Sequence, residues 1–199
     1  MTATISRSDL PTKGSALLGG FFVNCYMQDN QQYALITSGA DGDIPATYGT
    51  YGKDIPAISY TDSLANTKAM AAAGSDSAAK VLAMRIGGFD DWAIPARDPL
   101  EMLYRHFKPT DNENYCSFRD GDNPATGDYP YTDSTPAQTS TEGFREGEEH
   151  NFQGEIYISS TQSSPYRAWN QTFDVGTQGY NRKGDELRAR AVRSVLVID

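Results

Sequence analysis

The clearest start of a helix lies within the stretch GGFDDWAIPARDPLE, residues 87–101. Asp98 is an acceptor suited to the N-cap, Pro99 follows at the first helical position, and Glu101 stands three residues after the cap. The apolar positions that follow are spaced i, i+3, i+4 and i+7: Leu100, Leu103, Tyr104 and Phe107. This spacing predicts a helix with one buried face, which Pro109 ends.

A β-hairpin is predicted near the beginning of the chain. Residues 19–27 alternate in the manner of a strand, and residues 33–37 form a second strand after the polar turn 29–32. The alternation puts four side chains on one face: Phe21, Val23, Cys25 and Met27. We interpret Cys25 as a small core residue rather than a nucleophile.

Two further helices are predicted between the hairpin and residue 87. Thr61 or Asp62 can cap the first, which Gly74 ends. Ser75 or Asp76 can cap a second, shorter helix.

The rest of the chain consists of loops and C-terminal strands. Residues 38–60 show no period and are interpreted as an ordered loop, and residues 111–154 form a long loop rich in turn dipeptides. Strand-like pieces follow at 155–159, 168–173 and 187–198. A strand pair, then helices, then several strands is typical of an α+β fold in which helices flank an antiparallel sheet.

The charge of the chain is strongly negative and uneven. It holds 17 basic and 26 acidic residues, a formal net charge of −9, and ten of the acidic residues but only two basic ones lie between 111 and 150. Such a surface repels phosphate backbones and anionic membranes, so we expect no nucleic-acid partner. The apolar stretch 16–23 is too short to span a membrane, and it lacks the basic flank and cleavage site of a signal peptide. We therefore expect assembly in a cytoplasm, without membrane insertion.

The residues that usually carry catalysis or metals are sparse. His106 and His150 are the two histidines, and neither stands in a nucleophile or zinc motif. The glycine pairs 19–20 and 87–88 lack the lysine of a phosphate loop. Acidic turns that could offer oxygen ligands to calcium, at 41–43 and at 120–128, do not continue into an EF-hand and are interpreted as solvated turns. We therefore expect no enzyme activity, no metal and no cofactor.

Two cysteines are too few for a disulfide framework. Free thiols are the favoured interpretation, and a disulfide between Cys25 and Cys116 is the alternative.

A polar and aromatic cluster near the C-terminus is the strongest candidate for recognition. Tyrosine, asparagine and arginine combine stiff contact area with adaptable hydrogen bonding. The candidate binding residues are Tyr166, Arg167, Asn170, Gln178, Tyr180, Asn181, Arg182 and Lys183. Trp169 and Phe173, in the same region, are predicted to be core residues.

Several motifs resemble one known family. Residues 87–95 with Glu101 and Leu103 resemble the G-G-[FY]-x-D-W-x-[IL]-P-x(5)-E-x-L signature of a C-type-lectin-like family, typified by the C-terminal domain of a bacterial collagen-like adhesin and common in phages and prophages. Residues 157–162, 168–173 and 188–193 resemble later elements of the same family, with Ile158 where tryptophan is usual. The resemblance covers about residues 17–197.

The resemblance implies a C-type-lectin-like fold in which N- and C-terminal strands pair and a long loop region carries binding. The calcium-binding triplets of true C-type lectins and the cysteines of formylglycine-generating enzymes have no counterpart. We expect an N-terminal arm, 1–18, and one domain, 19–199, with the acidic loop insertion 111–154. Structural roles are implied for Gly87, Gly88, Asp91, Trp92, Pro95, Glu101, Ser159, Ser160, Thr161, Trp169, Arg190 and Arg193.

The function implied by this resemblance is display and adhesion. We expect a non-enzymatic bacteriophage virion protein of the tail fibre or tail tip that binds a host surface polysaccharide or protein. The alternative is a capsid decoration or collar protein that uses the same fold for subunit contacts. In either case the expected partners are other virion proteins and further copies of the chain.

Overall fold

Two five-stranded sheets and three helices build the part of the chain that the structure describes. The computed structural model describes residues 3–115 and 131–199. The architecture is mixed α and β with mainly antiparallel pairing, which confirms the α+β class. Across the first sheet the strands lie in the order β1 (Thr4–Ser6), β10 (Val192–Ile198), β4 (Gln31–Thr37), β3 (Gly20–Gln28) and β2 (Ala16–Leu17). Across the second sheet the order is β5 (Asp43–Ala46), β9 (Leu187–Arg190), β6 (Ile156–Ser164), β7 (Arg167–Thr172) and β8 (Gln178–Arg182).

The predicted hairpin is confirmed at the centre of the first sheet. β3 (Gly20–Gln28) and β4 (Gln31–Thr37) pair antiparallel around Asp29 and Asn30. Both turn residues have positive φ, 50° and 62°. Two such residues form the two-residue turn whose twist matches a hairpin, and Asp and Asn tolerate it better than most residues.

A bulge in β3 changes which side chains share a face. The register shifts between Phe22 and Asn24, so strict alternation fails there. Phe22 packs into one core with Cys25 at its edge, whereas Val23 and Tyr26 pack into a second core. The predicted grouping of Phe21, Val23, Cys25 and Met27 on one face is therefore wrong, and the sheet has an apolar core on each side.

The N-terminal segment belongs to the same sheet. β1 (Thr4–Ser6) lies parallel to β10 (Val192–Ile198), and β2 (Ala16–Leu17) pairs with β3. The segment 1–18 is the predicted N-terminal arm, and its strands β1 and β2 pair with β10 and β3 of the same chain. The physical reason is that edge pairing satisfies the backbone of a short polar segment.

The second sheet includes two strands that the sequence did not predict. β5 (Asp43–Ala46) lies in the predicted loop 38–60, and β8 (Gln178–Arg182) pairs with β7 (Arg167–Thr172). The other members are β6 (Ile156–Ser164) and β9 (Leu187–Arg190).

The predicted C-terminal strand is divided between the two sheets. Ala191 separates β9 from β10. Its N–H donates to the Gly42 carbonyl, and its carbonyl accepts from the Ser38 N–H. The chain therefore crosses from one sheet to the other at this residue.

The helices follow the sequence prediction except at one end. α1 (Ser63–Ala72) is capped by Asp62, and α2 (Asp76–Leu82) is capped by Ser75. The third helix, α3 (Arg97–Phe107), has Ala96 at its N-cap. Asp98 is therefore not the cap that the sequence predicted: it lies in the first turn, where its N–H donates to the Tyr60 carbonyl.

Aromatic side chains hold the described parts of the long loop. Residues 111–115 and 131–154 contain no helix or ladder-forming strand. Phe144 stacks on Phe107 of α3 at 4.2 Å, and Phe152 stacks on Phe173 at 4.5 Å. Cys116 and the acidic turn at 120–128 lie outside the described residues. No described helix has the length and apolar character that a membrane span requires.

Candidate binding face

Glycine is required where the motif segment 87–95 touches the first sheet. Gly87 has φ 59°, and a Cβ there would lie 2.2 Å from the Cα of Gly19. Trp92 is buried, and its indole N–H donates to the Phe89 carbonyl at 3.2 Å. The Pro95 carbonyl accepts from the Ser160 N–H at 2.8 Å, which ties the segment to β6. These contacts assign the motif to packing rather than to ligand contact.

Two buried arginines of the motif 188–193 form ion pairs with aspartate carboxylates. Arg193 forms a two-point ion pair with Asp91, and its guanidinium lies over the Phe89 ring at 3.8 Å. Arg190 binds Asp43 at 2.8 Å. A guanidinium fork matches a carboxylate in this way, and both pairs connect segments far apart in sequence.

Glu101 is fully buried at the centre of a polar network. Its carboxylate accepts from Arg105 Nε at 2.8 Å, from the Tyr131 hydroxyl at 2.5 Å and from Gln171 Nε2 at 2.7 Å. Gln178 Nε2 lies 3.4 Å from the same carboxylate. Burial is the largest cause that raises the pKa of Tyr131, followed by the charge of Glu101. The network joins α3 to β7 and β8 and leaves Glu101 closed to solvent.

The Ser159 to Thr161 segment positions the start of α3. All three side chains are buried. Thr161 Oγ1 accepts from the Arg97 N–H at 3.0 Å and donates to the Ser59 carbonyl at 2.7 Å. The Arg97 backbone is therefore held against β6, and its side chain lies over the Trp169 ring of β7.

Three of the eight predicted binding residues are buried and cannot contact a ligand directly. Asn170 donates to Asn181 Oδ1 at 2.7 Å, Gln178 accepts from Arg97 Nε at 2.9 Å, and Lys183 is 1% exposed. Their polarity is satisfied inside the protein, which a sequence cannot show. Asn181 is partly exposed, and the other four, Tyr166, Arg167, Tyr180 and Arg182, are exposed.

One face of β7 and β8 presents alternating arginines and aromatic rings. Arg167 lies opposite Arg182, and Trp169 lies opposite Tyr180. The rings of Trp169 and Tyr180 meet edge to face at 5.8 Å, and the Arg167 guanidinium lies 5.1 Å from the Tyr180 ring. At the α3 end, Arg97 lies 3.9 Å from the Trp169 ring and 4.8 Å from the Tyr60 ring. We name this surface the aromatic–arginine face: Tyr60, Arg97, Arg167, Trp169, Tyr180 and Arg182.

Trp169 therefore differs from its predicted place in the core. Its side chain is partly exposed and stacks under Arg97, whereas Phe173 is fully buried as predicted. Indole faces attract guanidinium cations, so a tryptophan can be ordered without being enclosed.

A pair of exposed tyrosines lies beside this face, at the tip of the β6–β7 hairpin. Tyr51 is 58% exposed and Tyr166 is 52% exposed, with ring centres 5.1 Å apart. The Gly52 N–H donates to the Pro165 carbonyl and holds the two loops together. Tyr51, Tyr60 and Arg97 come from segments that sequence reasoning did not connect with the C-terminal cluster.

The face is locally cationic on an acidic protein. Within the described ranges neither Arg167 nor Arg182 forms a salt bridge. Directly opposed like charges on paired strands are unfavourable. On such a surface the aromatic rings can stack against a ring of a ligand, and guanidinium groups without a salt bridge can donate hydrogen bonds to its oxygen atoms.

The described histidine and cysteine side chains offer little for metal or thiol chemistry. No cluster of three histidine, cysteine or acidic side chains in the described ranges could hold a metal ion. Burial raises the pKa of the Cys25 thiol, which disfavours a reactive thiolate. His106 Nε2 lies 3.3 Å from Asn24 Nδ2, and the His150 ring packs against Phe21 at 4.8 Å.

No protein-family model and no curated protein matches the chain.

Proposed function

We propose that this chain is a non-enzymatic recognition module of a bacteriophage virion, carried on the tail fibre or tail tip, and that it binds a host surface component. The contact surface in this proposal is the aromatic–arginine face with the adjacent pair Tyr51 and Tyr166. The ligand is a polysaccharide or protein of the host surface.

The observation that carries the proposal is that large aromatic and arginine side chains are exposed together on one face. Tyr180 is 45% exposed and lies in contact with Trp169 and Arg167. Contiguous exposed aromatic surface is uncommon on a protein that binds nothing, and tyrosine, tryptophan and arginine are enriched where binding energy concentrates. The strands beneath are held rigid by the Glu101 network, so the face is ordered before a ligand arrives.

The finer fold assignment, C-type-lectin-like, is part of the same proposal. The pairing of an N-terminal with a C-terminal strand, β1 with β10, agrees with what the resemblance implies. The packing of Trp92 and the Asp91–Arg193 pair gives the motif residues structural roles of the expected kind. These two observations support the assignment.

Cell-binding measurements with a quadruple variant test the proposal. In Tyr166→Ala/Arg167→Ala/Tyr180→Ala/Arg182→Ala every changed residue is exposed, so we expect the fold to remain and binding to cells of the phage's host to be lost. A matched control changes the exposed residues Arg7, Arg85 and Tyr115 to alanine, away from the face. Unchanged cell binding by the quadruple variant, with a native circular dichroism spectrum, would contradict the assignment of the face.

Localisation in whole particles separates the proposal from a capsid decoration or collar role. Labelled antibody against the chain is expected to mark a few copies at the tail. Many copies distributed over the shell would contradict the tail assignment.

A further inference from the structure

A lysine, a glutamine and an aspartate form a chain of contacts beside β6 and β8, in which the lysine and the glutamine are buried and the aspartate is exposed. Lys183 follows β8, and its Nζ lies 2.5 Å from Oε1 of Gln162 in β6. The Gln162 amide nitrogen, Nε2, lies 2.5 Å from Asp54 Oδ1. Lys183 Nζ also donates to the Lys53 carbonyl at 2.6 Å. An amine and an amide are thus held in contact away from water, and the amide also contacts an exposed carboxylate.

Burial of Lys183 acts against the charged form of its amine. Its side chain is buried. Burial is the largest cause that lowers the pKa of this amine, while the charge of Asp54 acts in the opposite direction. Among the described residues Lys183 forms no salt bridge. A desolvated lysine is the usual form of a lysine nucleophile.

The amide of Gln162 is polarised at both ends. Its Oε1 accepts from the Ile55 N–H at 3.1 Å as well as from Lys183. The Ile55 N–H can stabilise the negative charge that develops on this oxygen when the amide carbon becomes tetrahedral. At the other end, the carboxylate of Asp54 accepts a hydrogen bond from the nitrogen that would leave and so orients the amide.

We propose that Lys183 and Gln162 join in an intramolecular amide cross-link. The Nζ lone pair forms a bond to Cδ of Gln162, and the Cδ–Nε2 bond breaks. The proton that Nζ loses moves to Nε2 within the tetrahedral intermediate, and Nε2 leaves as ammonia, while Asp54 holds this nitrogen in position. The step needs no oxidant and no further reactant. The cross-link closes the loop 162–183 and so fixes β7 and β8, independently of what the aromatic–arginine face binds.

Mass spectrometry of the full chain tests the cross-link. The expected intact mass is lower than the sequence mass by one ammonia, about 17 Da. Trypsin is expected to yield peptide 146–167 joined to peptide 183–188, because a modified Lys183 resists cleavage. A chain at full sequence mass, or a loss of ammonia that maps to another residue, would overturn the proposal.

Variants assign the roles of the three side chains. Lys183→Arg is expected to restore the full mass, and Asp54→Asn is expected to leave most of the chain at full mass. The control Lys53→Arg, whose exposed amine contacts the Ala73 carbonyl instead, should keep the loss of ammonia. An Asp54→Asn chain that is linked as completely as the unchanged protein would overturn the role of Asp54. If Lys183→Arg does not fold, the mass of the unchanged chain still decides.

Discussion

Removal of the Glu101 carboxylate is expected to be among the most destabilising single changes in the described chain. Glu101→Ala leaves Arg105, Tyr131 and Gln171 without the acceptor that they share in a fully buried site. Breaking a buried ion pair from one side costs about 3–5 kcal/mol, because the remaining buried charge loses its anionic partner. For a chain of this size, that loss corresponds to a fall in Tm of about 6–20 °C.

Urea and thermal unfolding, followed by circular dichroism, measure this loss. Glu101→Gln keeps an acceptor oxygen but no charge, so we expect an intermediate loss of about 1–3 kcal/mol. The matched control is Glu155→Ala: its side chain is 61% exposed and lies 3.7 Å from Arg188, so its loss should stay below about 1 kcal/mol. A loss below about 1 kcal/mol for Glu101→Ala would refute the view that this network holds α3 to the face strands.

Two further predictions concern ionisation and backbone. Burial raises the pKa of Tyr26, Tyr48, Tyr131 and Tyr157 above the ordinary value of 10. The unfolded chain ionises first, so this stability is complete below pH 10 and is lost as pH rises above it. Absorbance at 295 nm should therefore show a fraction of tyrosines that titrates only together with unfolding, and titration of all tyrosines in the folded protein would contradict this. Gly87→Ala combines positive φ with a Cβ 2.2 Å from Gly19, whereas Gly88→Ala has φ 84° and no atom within 4 Å. Gly88→Ala should cost about 1–2 kcal/mol and Gly87→Ala measurably more in urea unfolding; equal losses would contradict the close approach.

Local signals in the sequence predicted the elements whose stability is local. Asp62 and Ser75 accept hydrogen bonds from backbone N–H groups of their own helices, and the Asp29–Asn30 turn has the backbone that its residue types favour. The start of α3 was misplaced because Asp98 follows a segment, Pro95 to Arg97, that is positioned by contacts with β6. Tertiary contacts therefore determine where α3 begins, and capping rules alone place its N-terminus at a different residue.

Elements that depend on distant pairing could not be predicted. β8 has the sequence QGYNR, which has no apolar alternation, and it forms because β7 lies beside it. β1 pairs with a strand from the other end of the chain. In both cases the partner, and not the segment, supplies the stabilising contacts.

The predicted binding residues differ in exposure because some of them have hydrogen-bond partners inside the protein. Polarity marked Asn170, Gln178 and Lys183 as candidates, but each has hydrogen-bond partners inside the protein. Tyr180 and Arg182 are of residue types enriched at recognition surfaces, which is why they were candidates, and in the fold they are exposed. Tyr51 and Tyr60 join the surface through the fold alone.

Competition for adsorption tests whether the aromatic–arginine face binds the host, as proposed. Purified chain in excess is added to host cells before whole phage particles, and free particles are counted. We expect the unchanged chain to block adsorption and the Tyr166→Ala/Arg167→Ala/Tyr180→Ala/Arg182→Ala chain not to block it. Equal blocking by both chains, or none by the unchanged chain, would contradict a host-binding role for the aromatic–arginine face.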